Sequence, residues 1–314
     1  DPEMSRGLGD VYKRQVYKFP VKDKKSAQYD DHQCSSYDVE ACSWSNIPDE
    51  DFALADDHHW TIGQFVWTGF DYLGEPSPYD TDAWPNHSSM FGIIDLASLP
   101  KDRYYLYRSI WNKEAETLHI LPHWTWPGRE GEVTPVFVYT NYPAAELFIN
   151  GKSYGKQSKN NSSLKSRYRL MWMDAIYEPG EVKVVAYDKD GKAVAEKSVR
   201  TAGKPHHIEL VSNRNELTAD GKDLAYVTVK VVDKDGNLCP ADSRLINFSV
   251  KGAGKYRAGA NGDPTSLDLF HLPKMHAFNG MLTAIVQTNE TAGEIILTAK
   301  ASGVKAGSIR LLTK

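Results

Sequence analysis

The 314-residue chain is poor in cysteine, has no long apolar run and carries little net charge. Its three cysteines, Cys34, Cys42 and Cys239, form no Cys-x-x-Cys pair and no Cys/His spacing typical of a metal site. A Cys34–Cys42 disulfide stays open, although buried free thiols are the expectation. No apolar run approaches the ~18 residues of a membrane-spanning helix. The net charge of −4 provides no basic surface that would favour nucleic acid or an anionic membrane.

Aromatic residues are abundant in the first half of the chain. Seven of the eight tryptophans lie between Trp44 and Trp126, and the eighth is Trp172. Flat aromatic faces are typical of sugar-binding sites, but most single tryptophans belong to a core. Core or domain-interface packing is therefore expected for Trp124 and Trp126. The first half is nevertheless where a functional site is expected.

The first third of the chain alternates helix and strand signals. Proline and three acids at 48–51 predict a helix from Asp49 to about His58. Residues 64–72 (QFVWTGFDY) are apolar on both faces, which predicts a buried parallel strand. A loop over 77–89, a short extended piece over 91–96 and a helix that opens at Pro100-Lys101-Asp102 follow. This order is typical of an α/β barrel, whose functional residues lie in the loops after the strands.

From Leu118 onwards the sequence predicts short strands separated by Asn-Gly, Pro-Gly and Asp-Gly turns. The pattern favours two immunoglobulin-like sandwiches, over 116–203 and 204–314. The string Asp-Lys-Asp-Gly occurs at 188–191 and again at 233–236. Since neither copy has the length or the distal Glu of a calcium loop, both are predicted to be turns.

Four uncommon strings occur in one order: FVWTGFDYLGEP at 65–76, WPNHSS at 84–89, FGIID at 91–95 and PKDRYY at 100–105. They resemble the last barrel strand and helix of glycoside hydrolase family 2, in particular β-galactosidases of the Bacteroidetes type with C-terminal immunoglobulin-like domains. The resemblance covers Val16–Lys314. It implies a mixed fold: a partial (β/α)8 barrel end over 16–115, followed by the two all-β sandwiches. Residues 1–15 are expected to be a leader that is unstructured or foreign to the protein.

The resemblance implies retaining hydrolysis of terminal β-galactosides by two Glu residues, an acid/base and a nucleophile about 5 Å apart. Residues 1–15 stand where the nucleophile's context is expected and contain no matching Glu motif. Glu75 follows Gly74 in a loop and matches neither family Glu. We therefore expect no catalytic residue in this chain and no hydrolysis by it.

Three residues are expected to bind substrate. Trp67 matches a tryptophan that packs against the galactosyl ring in relatives, although a buried strand tryptophan is the plainer interpretation. Asp71 either accepts a sugar hydroxyl or pairs with a structural partner, since a carboxylate on an apolar strand needs one. His87 either reaches the site from the loop or is solvated. Because one strand cannot close a barrel, Phe65, Trp67 and Phe70 are expected to be partly exposed.

The expected partner is a β-galactoside-containing oligosaccharide, with no cofactor, metal, nucleic acid or membrane. Homo-oligomerisation of a full-length protein stays open, and the resemblance implies a periplasmic or secreted bacterial location. One alternative is a β-glucuronidase or β-mannosidase of the same family. The other is a non-catalytic immunoglobulin-like array that binds carbohydrate or mediates adhesion.

Overall fold

The computed structural model describes residues 35–41, 44–76 and 84–314, which are mostly β-sheet with few helices. The predicted leader 1–15, the Cys34–Cys42 pair and the 77–83 part of the predicted loop lie outside the described residues. The helices are α1 (Pro48–Asp57), α2 (Asp102–Trp111) and α3 (Leu164–Tyr168). Both helices predicted from sequence are confirmed within two residues.

Two antiparallel sheets form the first sandwich. Its strands are β1 (Leu118–Leu121), β2 (Val136–Thr140), β3 (Ala144–Ile149), β4 (Lys152–Ser158), β5 (Leu170–Trp172), β6 (Glu181–Tyr187) and β7 (Ala193–Arg200). The sheet orders are β1-β2-β5 and β4-β3-β6-β7. Trp124 and Trp172 are fully buried in the core between them, which confirms the core prediction for Trp124. Asn150 and Gly151 have φ of 49° and 80°, as their hairpin turn requires.

The second sandwich has its own core. Its strands are β8 (His207–Ser212), β9 (Glu216–Leu217), β10 (Leu224–Val232), β11 (Leu245–Gly252), β12 (Gly254–Ala260), β13 (Lys274–His276), β14 (Met281–Thr288), β15 (Gly293–Lys300) and β16 (Gly307–Thr313). The sheet orders are β12-β14-β10-β8 and β13-β11-β15-β16-β9. Alternation along β10 places Ala225, Val227 and Val229 in the core. The buried free thiol of Cys239 belongs to the same core.

Both Asp-Lys-Asp-Gly segments are turns, as predicted. Asp188 accepts hydrogen bonds from the backbone N–H groups of Asp190 (3.0 Å) and Lys192 (2.9 Å). Asp233 makes the equivalent contacts with Asp235 (2.9 Å) and Asn237 (2.8 Å). Each side chain therefore closes its own hairpin.

The described residues before β1, which include α1 and α2, pack on the outer face of the β1-β2-β5 sheet. Strand β2 is buried at all five positions because its two faces serve different cores. Val138 faces the inside of the sandwich, whereas Phe137 and Tyr139 contact the apolar faces of α1 and α2, including Phe52 and Leu106. Each such buried side chain contributes about 1.5–3 kcal/mol of transfer free energy.

A buried ion pair joins this segment to the first sandwich. Arg169 and Asp49 are both 0% exposed and form a two-pronged contact, one arm of which measures 3.1 Å. The guanidinium also donates to the carbonyls of Tyr37 and Asp38, each at 3.0 Å. Arg103 adds a 2.8 Å bond to the Asp38 carboxylate. Buried charges persist only when they are bonded in this way.

The predicted buried strand over 64–72 is wrong in this structure. The segment is extended but irregular, and Phe70 makes a single parallel bridge to Ile94. The neighbouring segment around Ile94 offers few backbone groups with which residues 64–72 could form further strand hydrogen bonds. The expected exposure is confirmed: Phe65, Trp67 and Phe70 are 105%, 71% and 54% exposed.

Candidate functional site

An exposed aromatic edge occupies residues 60–70. It displays Trp60 (66% exposed) and Ile62 (105% exposed) in addition to Phe65, Trp67 and Phe70. Single exposed apolar side chains are normal, whereas five of them within eleven residues are informative and typical of a surface that another group covers.

Trp67 is held by a chain of hydrogen bonds. Its indole N–H bonds the Tyr72 hydroxyl, and that hydroxyl donates to the Glu75 carboxylate. The contact with Glu75 raises the pKa of Tyr72 above its ordinary value. The indole face therefore stays open while its edge is fixed. Sequence reasoning missed Tyr72, although its three-residue spacing from Glu75 was a usable signal.

Asp71 points inward and is 9% exposed. One carboxylate oxygen accepts the Gly92 backbone N–H at 2.8 Å, and the other pairs with Lys101 Nζ at 2.6 Å. Burial raises the pKa of Asp71 above its ordinary value, although Lys101 opposes this effect. Both oxygens are thus engaged in holding the 90–101 segment against the extended segment that carries Trp67.

His87 lies against the second sandwich. Its backbone N–H donates to the Pro264 carbonyl at 3.0 Å, and its Nδ1 lies 2.9 Å from the Pro85 carbonyl oxygen. With Leu73 it lines a pocket of about 640 Å³ whose other wall belongs to residues 224, 257–258, 266–271 and 285. Neither Trp67 nor Asp71 lines this pocket. The three predicted residues therefore occupy an open surface, a buried ion pair and a pocket, respectively.

The turn at 95–99 docks on the second sandwich. Asp95 accepts the backbone N–H groups of Ala97 and Leu99, both at 2.8 Å. Its carboxylate lies so close to Gly262 that a Cβ there would be 2.1 Å from Oδ2. Thr283 donates to the Ala97 carbonyl at 2.6 Å. Burial raises the pKa of Asp95 to about 6, against the charge-stabilising N–H groups. No feature of the sequence pointed to this contact, because its two sides are far apart in the chain.

Within residues 35–41, 44–76 and 84–314, no group of three or more His, Cys, Asp or Glu could hold a metal ion. In the same part of the chain, no helix has the length and apolarity to cross a membrane. His58, one of the adjacent histidines His58 and His59, lies beside Trp60 in a tilted arrangement, with 5.0 Å between ring centroids and 31° between ring planes.

Two regions match known domain families. Residues 208–310 match glycoside hydrolase family 2 C-terminal domain 5, and residues 131–195 match a domain of unknown function, DUF4982. These regions lie in the second and first sandwich.

Several relatives are similar over most of the chain. The β-galactosidase BoGH2A of Bacteroides ovatus is 42% identical over 309 residues, which is 98% of this chain and 35% of that protein. A β-glucuronidase of Formosa agariphila is 25% identical over 84% of this chain and 27% of that protein. The chain thus spans about a third or less of these curated relatives.

Solved structures agree with these matches. A β-glycosidase from Bacteroides vulgatus superposes with a TM-score of 0.81 and 31% identity, covering 94% of this chain and 37% of that one. A glycosyl hydrolase family 2 member from Bacteroides cellulosilyticus gives 0.75 and 30%, covering 84% and 37%. Residues 208–310 therefore belong to the C-terminal domain 5 of glycoside hydrolase family 2, and the chain resembles family 2 β-galactosidases over nearly its whole length.

Proposed function

We propose that the chain is part of a retaining glycoside hydrolase that cleaves terminal β-galactosides in carbohydrate catabolism. The observation that carries the proposal is the aromatic edge at 60–70, where Trp67 presents an open indole face. An indole stacks on the apolar C–H face of a sugar with few rotamers to lose. The 42% identity to a β-galactosidase over 98% of the chain, against 36% to a putative β-glucuronidase of Formosa agariphila over 66% of it, favours galactosides over uronides.

Residues 16–115 are proposed to be the end of a (β/α)8 barrel. The support is the single bridge from Phe70 to Ile94 together with the exposure of Phe65 and Ile62. In a closed barrel, strands on both sides would cover these side chains and pair with the free backbone groups. The two sandwiches, 116–203 and 204–314, would brace that barrel.

Trp67 is proposed to stack on the galactosyl ring, with Tyr72 and Glu75 fixing the plane of the indole. His87 is proposed to contact the substrate farther along, where it lines the pocket. Asp71 is proposed to act as a positioning residue, because Lys101 and the Gly92 N–H occupy both its oxygens. This role replaces the direct sugar contact considered from the sequence.

Both catalytic Glu residues are proposed to lie outside this chain. Glu75, the glutamate nearest to Trp67 in sequence, is engaged by Tyr72 and does not match the family motifs. The chain alone would then bind a β-galactoside-containing oligosaccharide without hydrolysing it. In activity, such a chain would match the alternative of a non-catalytic carbohydrate-binding array, but it would still be part of a glycoside hydrolase.

The test is a titration of the purified 314-residue chain with lactose, in which saturation-transfer NMR measures the binding. Trp67→Ala should weaken binding by roughly two- to tenfold, since an aromatic contact of this kind is worth about 0.5–1.5 kcal/mol. Trp60→Ala removes an equally exposed tryptophan of the same edge and should leave binding unchanged. In parallel, the chain should not hydrolyse 4-nitrophenyl β-galactoside above buffer. Equal lactose affinity in both variants, or clear hydrolysis by the chain, would contradict the proposal.

A further inference from the structure

The pocket beside His87 is built by two parts of the chain that are far apart in sequence. Leu73 and His87 supply one wall, and Arg257 with residues 266–271 of the second sandwich supplies the other. Its volume of about 640 Å³ lies within the range of small-ligand sites. Leu73 is six residues from Trp67, a stretch of chain that spans at most about 20 Å. An oligosaccharide is long enough to bridge a distance of that order.

The loop 261–273, which forms one wall, is braced by hydrogen bonds. Asn261 donates to the His276 carbonyl at 2.9 Å, and the Phe270 carbonyl accepts the Gly259 N–H at 2.8 Å. Asp268 accepts the His276 N–H at 2.7 Å and contacts its ring at 2.9 Å. The loop is therefore a preformed surface, and a ligand would not have to order it on binding.

This braced loop holds large apolar side chains in solvent. Leu267, Leu269 and Phe270 are 61%, 57% and 40% exposed, and all three line the pocket. Beside them, the Arg257 guanidinium forms no hydrogen bond or ion pair with any described residue. None of its five donors is engaged by a residue that the structure describes. An open aromatic face beside free donors is the combination that a pyranose ring needs, because one side of the ring is C–H and its rim is hydroxyl.

The charges of the pocket favour a neutral ligand. Arg257 contributes a positive charge, and Asp268 contributes a negative one. A polyanion such as a nucleic acid would meet the Asp268 carboxylate, and a cation would meet the free guanidinium. A neutral polyhydroxylated chain meets neither obstacle and can accept from Arg257.

We infer that this pocket is an outer subsite for a sugar unit of the oligosaccharide on the leaving-group side of the galactosyl unit. The ring would lie against Phe270 with its hydroxyls toward Arg257 and His87. The inference rests on the proposed function, since it assumes that the galactosyl unit lies at Trp67. It adds that the second sandwich selects for the length of the substrate.

The test compares two probes on the purified chain by isothermal titration: lactose and the neutral tetrasaccharide lacto-N-neotetraose. The tetrasaccharide should bind at least threefold more tightly than lactose. Phe270→Ala and Arg257→Ala should each remove that advantage and leave lactose affinity unchanged. Leu312→Ala, an exposed apolar position on the other sheet of the same sandwich, is the control and should leave the advantage intact.

The outcomes separate this inference from the proposed function. Equal affinity for the two probes, or an advantage that survives both Phe270→Ala and Arg257→Ala, overturns the outer subsite. If lactose binding is lost in Trp67→Ala while the pocket variants have no effect, the galactosyl site stands and the subsite fails. If the advantage depends on Phe270 but lactose affinity ignores Trp67, the subsite stands and the galactosyl assignment fails.

Discussion

Replacing Arg169 by methionine should destabilise the first half of the protein strongly. The substitution keeps an unbranched side chain that reaches about as far as Nε, but it leaves the Asp49 carboxylate without its arginine partner at 0% exposure. Breaking a buried ion pair by removing one member costs about 3–5 kcal/mol. The carbonyls of Tyr37 and Asp38 lose their donor as well, which costs about 1–3 kcal/mol for each that stays buried and unbonded.

Arg167→Met is a matched control two residues away. Arg167 bonds Asp57 at 2.8 Å and 2.9 Å, but that pair is exposed to solvent. An exposed pair contributes about 0–1 kcal/mol, so the control should unfold close to the parent protein. The contrast isolates burial, because both variants exchange the same residue types on the same stretch of chain.

Urea unfolding followed by tryptophan fluorescence measures the effect where it occurs. All eight tryptophans precede residue 204, so the signal reports on the 35–203 part and not on the second sandwich. The double variant Asp49→Asn/Arg169→Met should regain part of the loss, since the uncompensated charge is gone while the two carbonyls stay without a donor. If Arg169→Met costs no more than Arg167→Met, the buried pair does not hold this interface and the reasoning fails.

Two further predictions concern the 92–95 segment. Gly92→Ala should destabilise the protein by at least about 2 kcal/mol, because its Cβ would lie 2.2 Å from the Asp71 backbone nitrogen. Gly69→Ala, whose Cβ would have nothing within 4 Å, should destabilise it far less. Thermal unfolding of the two variants measures the difference, and equal midpoints would contradict it. Asp95→Asn should flatten the pH dependence of stability: the carboxyl has an ordinary pKa of 3.8 and a folded pKa of about 6, so its contribution is complete below pH 4 and lost as pH rises through 6. The free energy of unfolding, measured by urea titration from pH 4.5 to 7.5, should therefore fall in the parent relative to Asp95→Asn by about 2 kcal/mol, and parallel curves would refute the assignment.

Elements with a strong local pattern could be predicted from the sequence. Helix α1 follows from proline and acids in its first turn, and β10 follows from strict alternation. The polar edge strands β4 and β7 were missed, since most of their positions are exposed and give no alternation. The parallel pairing of β9 with β16 left no signal in the sequence for a different reason: it joins residues about a hundred positions apart.

Residues of the candidate site could be predicted from the sequence only where neighbouring residues along the chain form the recognisable pattern. Trp67 could be singled out because its neighbours form a distinctive string. The engagement of Asp71 could not, since Lys101 lies thirty residues away and only the fold brings them together. The apolar run Leu267 to Phe270 was visible in the sequence, but its exposure beside His87 depends on the packing of two domains.

The two sandwiches differ in how freely evolution or an engineer could exchange them. Strand β2 is shared by two cores. A first sandwich from another protein would replace Phe137 and Tyr139 by side chains that do not fit against Phe52 and Leu106. The second sandwich meets the segment 84–99 through two main-chain carbonyls, of Pro264 and Ala97, and through the Thr283 hydroxyl and the Gly262 position. Other side chains of that domain can change while these contacts survive, provided that Thr283 and Gly262 are kept. A graft should therefore move residues 35–203 as one block and can vary the second sandwich independently, which makes that domain the natural place for substrate range to diversify.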